Sequence, residues 1–156
     1  MLKVNIVCIG KIKESFYRDA ISEYAKRLTR FCKFNIVELQ ESLLVGKNAQ
    51  DIEKVKVQEG KNIISKLSGY IIVLDLGGKQ LSSEDLATTI ESVSNSYSEI
   101  TFVIGGSYGL SSEVLEKADK KIAFGKITFP HQLMRVVLVE QIYRAFMINS
   151  NSDYHK

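Results

Sequence analysis

The residues with the clearest chemical potential lie at the start of a long predicted helix near the end of the chain. His131 and Arg135 are four residues apart, so their side chains should share one face of the helix 130–148. The loop 124–129 immediately precedes this helix. An imidazole and a guanidinium beside such a loop indicate one wall of a binding site for a polar ligand. An ordinary core helix with a polar end would show the same spacing.

Two more loops follow predicted strands and are rich in glycine. One follows Leu74 and covers residues 75–80, and the other is Gly105-Gly106-Ser107-Tyr108-Gly109. In open α/β sheets ligands bind beyond the carboxyl ends of the strands, and glycine lets a backbone approach them closely. Together with 124–129, these loops could hold an adenosine-like molecule through main-chain contacts. The second loop lacks the G-x-G-x-x-G spacing, and a tight strand-to-helix turn would also explain its glycines.

Other chemistries are poorly supported by the sequence. Ser107 lacks the surroundings of a nucleophile elbow, and His131 has no evident acid partner for a hydrolytic triad. Two isolated cysteines and two histidines, His131 and His155, provide neither zinc-ligand spacing nor a disulfide framework. We therefore expect neither a metal site nor serine-type hydrolysis.

These candidate residues must be positioned by alternating strands and helices. Apolar runs predict strands at 2–9, 34–39, 70–74, 100–104 and 122–124, and helical periodicity predicts helices at 14–30, 50–67, 83–97, 112–118 and 130–148. The alternation indicates an α/β domain with a mainly parallel sheet and helices on both faces. No linker or repeat divides the chain, so we expect one domain over 1–156.

Several local signals refine the predicted elements. Ser82 and Asp85 have the spacing of a capping box, and Thr128 is a plausible cap for the last helix. Pro130 suits the first turn of that helix, where a missing N–H costs nothing. Gly60 inside a helical pattern predicts either a kink or a close packing contact. Residues 40–49 show no period and are predicted to be a loop.

Charge and hydropathy limit the partners of the chain. The net charge is +3, but residues 1–33 hold eight Lys or Arg against three acidic residues, a net charge of +5. Such asymmetry is typical of a nucleic-acid surface or of a solvated helix face. No apolar run is long enough to span a membrane, and the N-terminus lacks the features of a signal peptide. We therefore expect a cytoplasmic protein.

Four separated motifs make a resemblance specific. They are Val103-Ile-Gly-Gly-Ser-Tyr-Gly109, Thr128-Phe-Pro-His-Gln-Leu-Met-Arg135, Glu140-Gln-Ile-Tyr-Arg-Ala145 and the terminal Tyr154-His155-Lys156, with Gly10-Lys11-x-Lys13 also fitting. In order and length the whole chain resembles the SPOUT-class α/β-knot methyltransferases. Within that class it resembles the RlmH family, which methylates N3 of a pseudouridine in helix 69 of 23S ribosomal RNA.

The resemblance implies a fold, a cofactor and an oligomeric state. The last helix would be threaded through a loop as a deep trefoil knot, an exception to unknotted topology. S-adenosylmethionine would bind in the knot, and the protein would be a homodimer with the site near its interface. The matching cofactor positions are Leu74, Gly105, Phe124, Gly125, Lys126, Ile127, Thr128 and Phe129. The family often has Ser where Gly125 stands, so only backbone contacts are expected from that residue.

The resemblance also implies roles for charged and aromatic residues. His155 is the candidate base for the pseudouridine N3 proton, Tyr154 a stacking or hydrogen-bonding partner, and Arg135 a stabiliser of charge on the carbonyl oxygens. Contacts with 23S rRNA in assembled ribosomes would come from Lys11, Lys13, Arg18 and His131. The polar tail would be mobile when free and order over bound substrate, although chain ends also fray. A related enzyme for another RNA and a non-catalytic RNA-binding module are the alternatives.

Overall fold

Alternation of strands and helices along the chain produces one five-stranded sheet. The computed structural model describes residues 1–43 and 46–156. The strands are β1 Lys3–Ile9, β2 Lys33–Leu39, β3 Tyr70–Gln80, β4 Glu99–Ile104 and β5 Lys120–Ala123. The helices are α1 Ser15–Leu28, α2 Ala49–Ile64, α3 Ser83–Ser94, α4 Ser112–Lys117 and α5 His131–Asn149. The sheet order is β2-β1-β4-β3-β5 with every pair parallel, which confirms the predicted fold class.

Alternate strand residues contribute to two separate core layers. In β1, Val4, Ile6 and Cys8 face the layer formed by α1, α3 and α5. The intervening Val7 and Ile9 face the layer formed by α2 and α4. This period-two burial lets both faces of the parallel sheet be covered by helices.

Helix α5 is central to the larger core layer. It packs against α1 and α3, and its Leu138, Val139, Ile142 and Ala145 are fully buried. The prediction of a Thr128 cap is wrong. The helix begins at His131 and its cap position is Pro130, without a side-chain capping bond, so Thr128 lies two residues too early to reach the free amides.

Strand β3 is longer than predicted. We expected a loop at 75–80, but β3 continues to Gln80 and pairs with β5 both before and after a bulge, through Leu74↔Ile122 and Lys79↔Ile122. A Cβ on Gly78 would lie 2.7 Å from the backbone N and C of Ile122. Glycine therefore lets the strand rejoin its neighbour after the bulge, and a hydropathy pattern does not reveal this.

Other local predictions are confirmed. Ser82 and Asp85 form the reciprocal capping box of α3. Gly60 is a packing site, because a Cβ there would lie 2.4 Å from Oγ of Ser111. The predicted loop 40–49 falls partly on residues 44–45, outside the described residues, and α2 already begins at Ala49. In the described chain, no helix combines the length and apolar character needed to cross a bilayer.

Candidate functional site

A cavity of about 690 Å³ lies at the carboxyl ends of β4 and β5 and beside the bulged part of β3. These strands are neighbours in the sheet, so Leu74–Leu76 of β3 and the loops that follow β4 and β5 meet at one edge. The cavity is lined by Lys56, Leu74–Leu76, Ile104–Leu110, Leu115, Ile122–Gly125, Ile127–His131 and Met134. Its size is typical of a site for a small molecule or cofactor.

The turn after β4 forms one wall of the cavity and requires glycine. The amide of Gly109 donates to the carbonyl of Gly106 at 3.1 Å, and Gly109 has a φ of +84°. A Cβ on Gly105 would lie 2.9 Å from Cδ2 of Leu110 and 3.0 Å from the carbonyl carbon of Gly109. A side chain at Gly105 would therefore displace either the turn or the core residue beneath it.

The loop 124–129 forms the opposite wall with its main chain. Among the backbone–backbone hydrogen bonds outside helices and strands, none in the described chain involves these six residues. Their N–H and C=O groups are therefore available to a ligand, and Gly125 has a φ of +119°. All of the loop except Lys126, whose side chain is exposed, lines the cavity.

These features fit an adenosine-containing cofactor. Free main-chain donors and acceptors can recognise the edges of a base, while Leu74, Ile104 and Phe124 provide apolar walls for its faces. Lys56, Asp75 and His131 add ionisable side chains to a lining that is otherwise mostly main chain and apolar groups. The predicted cofactor residues other than Lys126 thus lie around one space.

The predicted catalytic tail lies at the other end of α5. The Tyr154 hydroxyl donates to Glu140 at 3.1 Å, and its ring packs edge-on against Tyr143. Burial, followed by the bond to Glu140, raises the pKa of Tyr154 to about 12. Tyr154 is therefore protonated at neutral pH and serves as a hydrogen-bond donor.

His155 makes one hydrogen bond through each ring nitrogen. Arg144 donates to Nδ1 at 3.1 Å, and Nε2 faces the carboxylate of Glu84. Because arginine only donates, Nδ1 accepts and Nε2 carries the proton. The bond from His155 is the largest cause of the lowered pKa of Glu84. The prediction of a tail that is mobile when free is therefore wrong in this structure, where the tail is held against α5 and α3.

The tail and the cavity of the same chain are well separated. His131 lines the cavity and Arg144 holds the tail, and the two residues are thirteen positions apart on α5, a distance of about 20 Å. The structure does not bring Tyr154 or His155 to the cavity within one chain.

Arg135 differs from its predicted role. It is 1% exposed and donates to Glu38 at 2.7 Å and to the carbonyls of Ile9 and Gly10 at 3.2 and 3.0 Å. The prediction that it pairs with His131 in a site and stabilises charge on substrate is therefore wrong for this structure. Its guanidinium is occupied by protein acceptors, whereas His131 faces the cavity.

The predicted RNA-contacting lysines lie on the same edge of the sheet as the cavity. Lys11 and Lys13 are exposed in the loop that follows β1, a strand parallel to β3, β4 and β5. Arg18 is exposed and donates to the carbonyls of Ile12 and Lys13 at 3.2 and 2.9 Å. Arg18 therefore shapes this loop as well as adding charge to it.

Several residues at these sites were missed by sequence reasoning. Glu59 is 3% exposed and lies against Gly106, with Oε2 accepting from the amide of Ser42 and Oε1 without a partner among the described residues. Burial is the main cause of its raised pKa. Glu140 and Arg144 are four residues apart and form an ion pair at 2.7 Å, a spacing that the sequence does display. Glu84 is distant in sequence from the tail, and no local signal identifies it.

Comparison with known proteins gives a consistent assignment. A family profile described as "Predicted SPOUT methyltransferase" matches residues 2–155. Proteins named "Ribosomal RNA large subunit methyltransferase H" from Lactobacillus helveticus and Lactobacillus acidophilus are 52% and 53% identical, covering 99% of this chain and 100% of theirs. The protein of that name from Streptococcus uberis is 48% identical with the same coverage.

A solved structure supports the fold. A probable methylase family protein from Haemophilus influenzae aligns with a TM-score of 0.56 and 17% identity, over 100% of this chain and 72% of that one. Its low identity makes it evidence for the fold alone. The family match over nearly the whole sequence, and relatives about half identical over their full length, show that the chain belongs to the SPOUT α/β-knot methyltransferases, in the RlmH group.

Proposed function

We propose that this chain methylates N3 of a pseudouridine in helix 69 of 23S rRNA, using S-adenosylmethionine and acting on assembled ribosomes in the cytoplasm. The observation that carries the proposal is the cavity at the ends of β4 and β5 and beside the bulge of β3, with the segments 105–109 and 124–129 as two of its walls. The names of the full-length relatives supply the class of substrate.

The chain's contribution to cofactor binding would come from backbone and shape. Leu74, Gly105 and the loop 124–129 would hold the adenosine portion. When bound, S-adenosylmethionine supplies a methyl group that is already activated by its sulfonium. The remaining work of the protein is to align the acceptor nitrogen with this methyl group and to exclude water.

His155 would accept the N3 proton of the pseudouridine. An imide N–H must lose its proton before the nitrogen can act as a nucleophile, and Nδ1 of His155 carries a lone pair. To use it, His155 must exchange its bond from Arg144 for one from the substrate. Tyr154, protonated at neutral pH, would donate to or stack on the base.

We further propose that the chain acts as a single-domain homodimer in which the tail of one protomer completes the cavity of the other. The separation of about 20 Å along α5 favours this arrangement over action within one chain. Two half-buried apolar residues of α5, Leu133 and Val137, pack against neither core layer. A second copy could cover them, as expected for a helix that is apolar on nearly every side.

Methyl transfer to ribosomes tests the reaction. Radiolabelled S-adenosylmethionine would be incubated with the protein and with ribosomes from cells lacking this enzyme, beside Gly105→Val as the control. The expected result is label in 23S rRNA that maps by mass spectrometry to a pseudouridine in helix 69 and is absent with the variant. Label in transfer RNA instead would favour the alternative substrate, and cofactor binding without any transfer would favour a non-catalytic module.

Mixing two inactive variants tests the shared site. Gly105→Val should abolish cofactor binding in the cavity and leaves the tail intact. His155→Ala removes the proposed base from the tail and leaves the cavity intact. In refolded mixtures, heterodimers regain one working site only if the tail acts across the interface, which gives roughly a quarter of the wild-type rate. No recovery, with mixed dimers demonstrated by mass spectrometry, would mean that each tail serves its own cavity.

A further inference from the structure

The geometry points to Arg135 and Glu38 as a positioning pair that fixes the loop carrying Lys11 and Lys13 relative to the cavity wall on α5. This inference rests on the proposed function, since it assigns the loop a task in holding rRNA. The pair joins the beginning of α5 to the carboxyl ends of β1 and β2. Both strands are far from α5 in the sequence.

Arg135 holds the end of β1 through three acceptors. One terminal nitrogen donates to Glu38, and the other donates to the carbonyls of Ile9 and Gly10. These carbonyls lie where the chain leaves the sheet, and Gly10 has a φ of +88°. The guanidinium therefore fixes the direction in which the loop departs.

Glu38 and Arg18 hold the rest of the loop. The same Oε2 of Glu38 that pairs with Arg135 accepts from the amide of Ile12 at 3.1 Å. Arg18 binds the carbonyls of Ile12 and Lys13. The backbone on either side of Lys11 and Lys13 is thus fixed by side chains, while both lysines remain exposed.

Neighbouring residues at the start of the same helix line the cavity. They are His131, about one turn before Arg135, and Met134, one residue before it. A displacement of this end of the helix would move the cavity wall and the loop together. The pair consequently sets the distance between a ribosome-bound loop and the methyl-transfer site.

The composition of the pair favours positioning over simple stabilisation. Arg135 is buried, its Nε has no hydrogen-bond partner within residues 1–43 and 46–156, and the side chain of Glu38 is still 36% exposed. Buried ion pairs of this kind contribute little stability compared with apolar residues of similar size. Charged side chains with many donors do, however, select one loop conformation among several.

Glu38→Gln tests the inference in the full-length protein, with Glu23→Gln as the matched control. Both changes remove one negative charge from an Arg–Glu pair, but the pair of Glu23 with Arg27 lies on the exposed surface of α1. We would measure the dissociation constant for S-adenosylmethionine, KM and kcat on ribosomes, and hydrogen exchange of residues 10–13. Arg135→Lys, which keeps the charge and loses the forked geometry, provides a second variant.

We expect Glu38→Gln and Arg135→Lys to raise KM for ribosomes about 5–10-fold, corresponding to about 1 kcal/mol. Hydrogen exchange of the Ile12 amide should accelerate in both variants, while their affinity for S-adenosylmethionine stays within about twofold of wild type. In the Glu23→Gln control, all of these measured quantities should stay within about twofold of wild type. Unchanged exchange at Ile12 in both variants, or a KM no different from the control, would overturn the inference. Failure of wild-type protein to methylate ribosomes would instead overturn the proposed function, and the exchange measurement would still decide the loop's dependence on the pair.

Discussion

At the N-terminal end of α5 the cavity is walled mainly by main chain and apolar side chains, whereas at the C-terminal end of the helix Glu140, Arg144, Tyr154 and His155 meet through side-chain hydrogen bonds. Ligand binding at the first site depends on how closely the backbone of the two walls can approach the ligand. The second depends on charge and proton position. One helix therefore connects a site that should resist changes of side-chain polarity with a site that should be sensitive to them.

This difference suggests a division of labour. A cofactor that is used in every turnover can be recognised through backbone groups, which do not titrate. Proton transfer needs side chains that do. We therefore expect substitutions at the two ends to affect different kinetic quantities, and the following experiments test that separation in order of decreasing effect.

Gly105→Val should weaken binding of S-adenosylmethionine by at least about 100-fold, or about 2.7 kcal/mol. The added side chain would collide with Leu110 and with the backbone of Gly109. Isothermal titration measures the effect. Lys126→Ala is the control, because it alters an exposed side chain of the loop and keeps the backbone; a large loss of affinity there would contradict recognition through the main chain.

His155→Ala should lower kcat on ribosomes by about 100-fold, the usual scale of general-base catalysis. Affinity for the cofactor should stay within about twofold, because the groups proposed to hold the cofactor belong to 105–109 and 124–129 and not to the tail. Asp153→Asn is a control in the same exposed tail. Equal losses of cofactor affinity and kcat would remove the distinction between the two ends.

Lys11→Gln combined with Lys13→Gln should weaken ribosome binding and reduce its dependence on salt. Each lost phosphate contact lowers the slope of log K against log salt by about 0.7–0.9. Binding is measured between low and physiological ionic strength, with exposed Lys66→Gln as the control. An unchanged slope would place the RNA contacts elsewhere.

Glu59→Gln should stabilise the protein at neutral pH by about 1 kcal/mol, because it removes the cost of a buried, incompletely bonded carboxylate. The pKa of Glu59 is raised in the folded state, so stability of the wild type falls as pH rises from the ordinary glutamate pKa through this raised value. Thermal unfolding should therefore show the gain at pH 7 and its disappearance near pH 4. If the stability gained by Glu59→Gln persisted at acidic pH, its cause would be better packing of the glutamine side chain rather than removal of a buried charge.

Local sequence was enough to predict the parallel sheet, the capping box of Ser82 and Asp85, and two of the three segments proposed for the site, the loops 105–109 and 124–129. Each depends on periodicity or on neighbouring residues. The role of Arg135 could not be predicted, because its partner Glu38 lies 97 residues away. The extension of β3 past its bulge and the contact of His155 with Glu84 likewise depend on what the fold brings together.

Helix α5 also bears on how the molecule is made. It is the last regular element of the chain, and its buried residues close the core layer that α1 and α3 begin. A nascent chain that still lacks α5 exposes the apolar faces of both helices and has no complete layer to fold around. Stable folding of this layer must therefore wait until α5 itself has left the ribosome, so the other helices and strands are made before the core that they share can close.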